Sequence, residues 1–396
     1  MTKEASIVLY VLVFLIAIGG FYSTQVAIQN NFRKKYIGAG FAILLLCIFA
    51  SIRGEMVGTD ILTYAKPAFN RMQNYTSFFS CIVNEDYGIL YSMFVYISAK
   101  IFRNFQIFMF LTEMLIVIPI FSALVIINKK EPVSITIGMM FFLFFYYPMT
   151  FNLMKQSIAM GFMILTFSCY HSSKKKLAIL FSIIGVLFHS SALITVLTFI
   201  IIKILVSKKI RKIAISLIII FMIAVLSFWK KIGFWFIFET NIFPEIYKVY
   251  YNIFTTENHH YFKTTGGILG WIELVYRGIN FITPLIILRK KIERVMDYKI
   301  ISLISMVIYA TVLISLKSIY GHRLAMCFDF IHILYFAEAF KRKHYVNKMK
   351  KSCIYFTKFQ LQQVAFLFLY FVSYIVIVFM KLGYHQVVPY SFFFMH

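Results

Sequence analysis

A chain of 396 residues that is 61% hydrophobic, 19% aromatic and only 14% charged is too apolar for the surface-to-core mix of a water-soluble fold. Its 40 Lys and Arg against 15 Asp and Glu leave two uses for the excess positive charge, nucleic acid or membrane orientation. The basic residues fall in short clusters between apolar runs, not along one soluble face, which excludes nucleic acid as a partner and leaves the lipid bilayer.

A membrane helix needs about 20 mainly apolar residues, and about 17 can suffice. On that ruler the sequence predicts helices over 5–22, 36–52, 105–127, 133–148, 154–171, 176–190, 191–207, 212–229, 268–288, 300–317, 323–340 and 361–382. With residues 88–102 undecided, the expectation is an all-α polytopic integral membrane protein of about 12 to 13 transmembrane helices, because backbone groups in lipid must pair within helices. The first apolar run, Ile7 to Ala17, lacks a basic leader and a small-x-small cleavage site and reads as a retained span. Cys47, Cys81, Cys169, Cys327 and Cys353 are scattered without CxxC or Cys/His spacing, so neither disulfides nor a metal site is expected. No internal repeat or pair of matching broken segments is visible, and a single transmembrane domain over 1–396 is the economical reading.

Clusters of Lys and Arg at 129–130, 174–176, 208–212, 289–294 and 341–351 recur at alternate connections, which assigns those connections to the cytoplasm. The intervening turns then face outward: "YPMTFNLMKQ", "FHSS", the loop 230–267, "KSIYGHR" and the tail 383–396. Arg33, Lys34 and Lys35 favour an inner loop and put "RGEMVGTD" outside, provided that 88–102 lies in the interface. That stretch is short, carries Tyr and Ser throughout and ends in Lys and Arg, as interfacial helices do. If it spans, the sides of the first two loops swap.

Ionisable groups at membrane depth are unfavourable by roughly 2.5 to 3.5 kcal/mol, so each asks for a partner or a role. Arg53 ends the second span beside Gly54, and Asp60 follows Gly58. One reading is a snorkelling Arg and a helix-capping Asp. The other is a tight glycine loop over a ligand, with a guanidinium for an anion, a carboxylate that can accept a proton, and Tyr64 on the face of Asp60. Lys155 and Gln156 open a helix on the outer side, as an anchor or an anion site. His189 sits at a tight turn as a capping residue or a ligand, with Ser190 and Ser191 adding hydroxyls. His322 and Arg323 begin another outer helix, where Arg323 either pairs with Asp329 or joins the site; Arg277 has Glu273 at i−4 and can neutralise itself with it. Together Arg53, Lys155, Arg277 and Arg323 suit a membrane-bound polyanion such as a lipid diphosphate. No DxD, His-rich or Glu-rich metal signature accompanies them, so no cofactor is expected and charge neutralisation falls to Arg and Lys.

These pieces, "RGEMVGTDILTY", "FNLMKQSIAMGF", "FHSSALI", "GHRLAMCF" and "VVPYSFFF", run in order from residue 51 to 394 and resemble the EpsG-type branch of the Wzy-like capsular, exopolysaccharide and O-antigen polymerases. One departure stands out: Lys155 and Gln156 occupy the place of the family's Arg-Gln pair, and a Lys keeps the charge but loses the bidentate fork. The resemblance implies a polytopic glycosyltransferase of GT-C-like architecture in the bacterial cytoplasmic (inner) membrane. It would join oligosaccharide units carried on undecaprenyl diphosphate, with lipid-linked donor and acceptor as partners and a chain-length regulator as a further one. Asp60 and His189 are the candidates for the proton acceptor, Asp60 favoured as base and His189 as diphosphate or sugar ligand. The aromatic loop 230–267, with 53–104, would form the outer active-site face, either stacking on sugars or acting as an interfacial belt. A lipid-oligosaccharide flippase, an O-antigen ligase and a membrane acyltransferase are the rival readings; a flippase should carry charge along both halves of its path, whereas here it clusters outside.

Overall fold

The computed structural model describes residues 1–58, 60–84, 87–204, 220, 268–288, 293–316, 321–340 and 358–395. The described residues are helical and contain no strand beyond an isolated bridge between Arg53 and Phe392. They form two compact units, one of residues 1–190 with 336–396 and one of residues 191–335. Three described helices are long and apolar enough to cross a membrane: Lys3–Gln29, Phe105–Lys130 and Arg294–Ile314. The expected span 212–229 and the aromatic loop 230–267 lie outside the described residues, apart from Ile220.

In the first unit the helices are α1 (Lys3–Gln29), α2 (Ile37–Ser51), α3 (Lys66–Asn74), α4 (Phe78–Asn84), α5 (Ile89–Ile101), α6 (Phe105–Lys130), α7 (Ile135–Phe141), α8 (Tyr147–Thr150), α9 (Met154–His171) and α10 (Lys175–Phe188). Local chemistry sets their ends. Thr2 Oγ1 accepts the Ala5 amide at 3.2 Å to start α1, and Asn104 Oδ1 accepts the Gln106 and Ile107 amides at 2.9 and 3.2 Å to start α6. Lys129 and Lys130 close α6 at the end where a helix dipole favours cations, and Lys130 Nζ also donates to the His171 carbonyl at 2.7 Å. α9 packs between α6 and α10, and α1 against α2. The 13 residues of α5 rise only about 20 Å, short of the ~30 Å hydrocarbon core. Residues 61–101 therefore fold as short helices, α3 to α5 behind a π-helical turn at Ile61–Ala65.

A second π-helical turn, Phe142–Tyr146, joins α7 to α8 and turns aromatic side chains toward the late helix Lys358–Tyr374. Phe145 stacks on Tyr374 with centroids 4.1 Å apart, and Phe141 on Phe336 at 4.3 Å. A separate aromatic core joins the chain's beginning to its late residues: Tyr10, Phe14, Phe49, Tyr147, Phe151 and Tyr390 are all buried and in edge or stacked contact.

That core explains the tail. Tyr390 stacks on Phe49 at 4.6 Å and donates its hydroxyl to the Phe49 carbonyl at 2.6 Å, its amide donates to Ser6 Oγ at 2.9 Å, and Tyr10 donates to the Val387 carbonyl at 3.1 Å. The "RGEMVG" loop then zips onto the same tail: Gly54 N–H donates to Ser391 O at 2.7 Å, Gly58 N–H to Gln386 O at 3.0 Å, and Phe393 N–H to Ile52 O at 3.0 Å. The glycines fold the loop onto protein. Gly58 has φ +85°, and a Cβ there would sit 2.7 Å from the Phe151 carbonyl oxygen. Gly58→Ala is therefore expected to destabilise the chain by about 2 kcal/mol or more, read as a lower Tm of the detergent-solubilised protein. An unchanged Tm would mean that the loop accommodates the methyl group.

The second unit, described by itself, contains α11 (Ser191–Ile204), α12 (Ile268–Ile287), α13 (Glu293–Leu316), α14 (Gly321–Asp329) and the first part of α15 (Ile331–Ala339). α13 packs on α12 and α14. Thr195 of α11 donates to the Cys327 carbonyl at 2.6 Å, and Lys203 pairs with buried Asp297 at 2.5 Å.

Candidate functional site

The start of α9 is where the polar residues of the first unit converge. Asp60, 6% exposed, accepts the Met154 amide at 3.2 Å and the Tyr64 hydroxyl at 2.5 Å, both on Oδ2. It therefore caps not the helix that follows it but one that begins more than ninety residues later, and the π turn at 61–65 sets Tyr64 over it. Burial first, and then the adjacent Asp60 carboxylate, push the Tyr64 phenol well above its ordinary pKa, so Tyr64 is held as a donor.

Lys155, one residue into α9 and partly exposed, lies among three tyrosines: its Nζ is 5.0 Å from the Tyr64 ring centroid, 4.9 Å from Tyr87 and 5.7 Å from Tyr91. Tyr87 is further held by Arg71, whose guanidinium donates to its hydroxyl at 2.7 Å. Gly88, which follows Tyr87 and has φ +87°, passes close to the Leu187 and Phe188 carbonyls, each 3.4 Å from where a Cβ would stand. His189 follows directly. It ends α10 in extended backbone, its amide donating to the Gly185 carbonyl at 3.0 Å, and Ser190 is exposed. Gln156 is buried on α9.

Two residues that the sequence reading passed over complete the group. Asn152 Oδ1 accepts the Asp60 amide at 3.2 Å, and Asn152 Nδ2 lies 3.1 Å from His385 Nδ1. His385 comes from the tail that the glycine loop holds. These two are 233 residues apart, and no spacing rule pairs them.

Arg53 is placed inward. It is 3% exposed, its guanidinium lies 4.1 Å over the Phe151 ring, and one nitrogen donates to the Ala50 carbonyl at 3.0 Å while Nε makes no hydrogen bond. Its charge acts on Glu113 of α6, 2% exposed, whose Oε2 accepts Thr150 Oγ1 at 3.2 Å and whose Oε1 makes no hydrogen bond. Glu113 carried a sequence signal that was missed: it is a carboxylate inside the apolar run "FLTEMLIV", the type of residue that asks for a role.

In the second unit Arg277 is enclosed by carboxylates. It donates to Asp329 at 2.5 Å and to Ser305 at 3.2 Å, pairs with Glu273 at 3.3 Å, and stacks 4.4 Å over Tyr309; Ser305 also donates to Asp329. The i−4 neutralisation is present, and Asp329 pairs with Arg277 across helices. His332 sits beside them, its ring nitrogens 2.6 Å from Ser302 Oγ and 2.7 Å from the Asp329 carbonyl. Asp329→Ala leaves the buried guanidinium short of one carboxylate and is expected to destabilise by about 3 kcal/mol, visible as a Tm loss. A Tm unchanged by that substitution would show that Glu273 alone suffices. Arg323 is exposed near the start of α14, and the side chain of its neighbour His322 lies outside the described residues. Among the described residues no set of three or more His, Cys, Asp or Glu converges as metal ligands would.

A glycine loop ending in a capping Asp, a Lys-Gln pair in the first turn of α9, and a late aromatic tail zipped to that loop run in this order along the chain. Residues 36–392 match the EpsG family, which covers nearly the whole chain. The chain belongs to the EpsG family. Membership makes it a membrane protein of the polysaccharide polymerase type, consistent with its apolar helices. No curated protein and no solved structure matches it. In this EpsG-family chain residues 53–64, 152–156 and 385–392 meet in one place within the first unit, which gives the candidate site its boundaries.

Proposed function

We propose that this EpsG-family chain is a metal-independent glycosyltransferase that polymerises oligosaccharide units carried on undecaprenyl diphosphate. It would work at the outer face of the bacterial cytoplasmic membrane, in a multi-pass bundle of about 12 to 13 helices with GT-C-like architecture. The observation that carries the reading is the juxtaposition of the Asp60–Tyr64 pair with Lys155 at the start of α9. It supplies a proton acceptor and a cation within one side chain of each other.

In the reaction, a hydroxyl of the acceptor unit attacks the anomeric carbon of the donor's reducing-end sugar. The new C–O bond forms as the bond from that carbon to the diphosphate oxygen breaks, and undecaprenyl diphosphate leaves. Tyr64, half-buried and hydrogen-bonded to Asp60, passes its proton to the carboxylate as it takes the one leaving the acceptor hydroxyl. Lys155 meets the charge growing on the diphosphate, and its tyrosine cage fixes where that charge is met. Within the first unit, His189, Ser190 and Gln156 are assigned to the sugars and their phosphate. Arg53 and Arg277, both enclosed, hold the frame.

The test is gene deletion followed by analysis of lipid-linked glycans. Accumulation of single repeat units exposed on the outer face supports a polymerase, whereas accumulation on the inner face sinks it in favour of a flippase.

A further inference from the structure

The hydrogen bonds that link Asp60, Asn152 and His385 fix a protonation state. A backbone N–H can only donate, so the Asp60 amide at 3.2 Å identifies the atom it meets on Asn152 as the oxygen. The opposite end of that side chain is then the NH2 group, also only a donor, and it faces His385 Nδ1 at 3.1 Å. Nδ1 must accept. In that arrangement the imidazole carries its single proton on Nε2, and a second proton on Nδ1 would set N–H against N–H.

The backbone holds the ring there. His385 and the residue after it both adopt left-handed conformations, with φ 61° and 54°, which residues bearing side chains rarely occupy without support. The support is the Gly58 amide, which donates to the Gln386 carbonyl at 3.0 Å. The loop that delivers Asp60 thus also orients His385, and Asn152 lies three residues before Lys155, in the turn that leads into α9.

We infer that His385 is a neutral hydrogen-bond donor of the site, its tautomer set by Asn152 as a positioning residue, and that its Nε2–H serves an oxygen of the lipid diphosphate. This deepens the polymerase reading and rests on it. The ring's one lone pair is committed to Asn152, so His385 is a donor to the leaving group and not its general base.

The experiment separates a donor from a mere latch. His385→Asn preserves an acceptor-donor group at the Nδ1 position and tolerates left-handed backbone well, but removes the Nε2–H. His385→Gln places an amide N–H near the Nε2 position. Polymer formed in membrane vesicles is expected to fall about a hundredfold in His385→Asn and to stay within about tenfold of wild type in His385→Gln. Equal polymer from His385→Asn and wild type would overturn the inference and leave the polymerase reading standing. Independently, ¹⁵N-histidine spectra of the full chain in lipid vesicles, with His385 assigned by its loss in His385→Gln, should show Nδ1 unprotonated and Nε2 protonated. Asn152→Asp should move that proton to Nδ1. The Nε2 resonance should shift with undecaprenyl diphosphate and not with undecaprenol. A protonated Nδ1 in wild type, or no shift with the diphosphate, also overturns it. A wild-type chain that makes no polymer sinks the polymerase reading and this donor's role with it.

Discussion

Asp60→Asn is expected to reduce polymer by about a hundredfold or more while the full-length protein stays in the membrane at its normal amount. The substitution separates chemistry from framework. Asn keeps the size of Asp and an oxygen for the Met154 amide, so the start of α9 keeps its cap. It has no charge and its amide oxygen is a far weaker base than a carboxylate, so it cannot take the Tyr64 proton. Tyr64→Phe, which removes only the relay, is expected to lose about tenfold to a hundredfold. Labelled lipid-linked units and isolated vesicles give both numbers. Full activity in Asp60→Asn would remove Asp60 from the chemistry, and the base would have to be sought at His189.

Arg53→Met is expected to act first on stability. Arg53 and Glu113 are both buried, with no hydrogen bond or ion pair joining them, and feel each other's charge at longer range, so removing the cation takes away part of what offsets the burial of Glu113. Losing that offset together with the guanidinium's packing over Phe151 is expected to cost about 2 kcal/mol. It should appear as a large drop in Tm and in membrane abundance, and as loosening of the loop that Arg53 shares with the tail. Adding Glu113→Gln to Arg53→Met should recover a good part of the Tm, because no uncompensated charge then remains; the double-mutant cycle measures the coupling. Additive losses from the two substitutions would dissolve the pair. A single Arg53→Met with wild-type Tm and no polymer would return Arg53 to the diphosphate.

The helices were legible because apolar length and flanking charge decide them locally. The expected stretch 105–127 became Phe105–Lys130, and 154–171 became Met154–His171. The interruption of the expected helix 133–148 by a π turn was not legible, since it depends on aromatic partners near residues 336 and 374. At the site, Asp60, Tyr64 and Lys155 announced themselves by charge and spacing, yet their mutual contact did not, because the cap runs between residues separated by six helices, α3 to α8. Asn152 and His385 are ordinary polar residues at loop positions, and only the fold gives them a partner. Arg53 was legible as an unusual cation but not as an enclosed one: nothing local to "SIRGEM" says that Phe151 and Tyr390 will cover it.

The zipper between residues 52–58 and 386–393 has a consequence for biosynthesis. The glycine loop emerges from the ribosome early, yet the strand-like partner that shapes it, and the histidine that faces Asn152, emerge only after every described helix has been made. Until then Asp60 and Asn152 lack the tail segment that faces them. A chain that stops before residue 386 can form its earlier helices and still lack the segment that shapes the glycine loop.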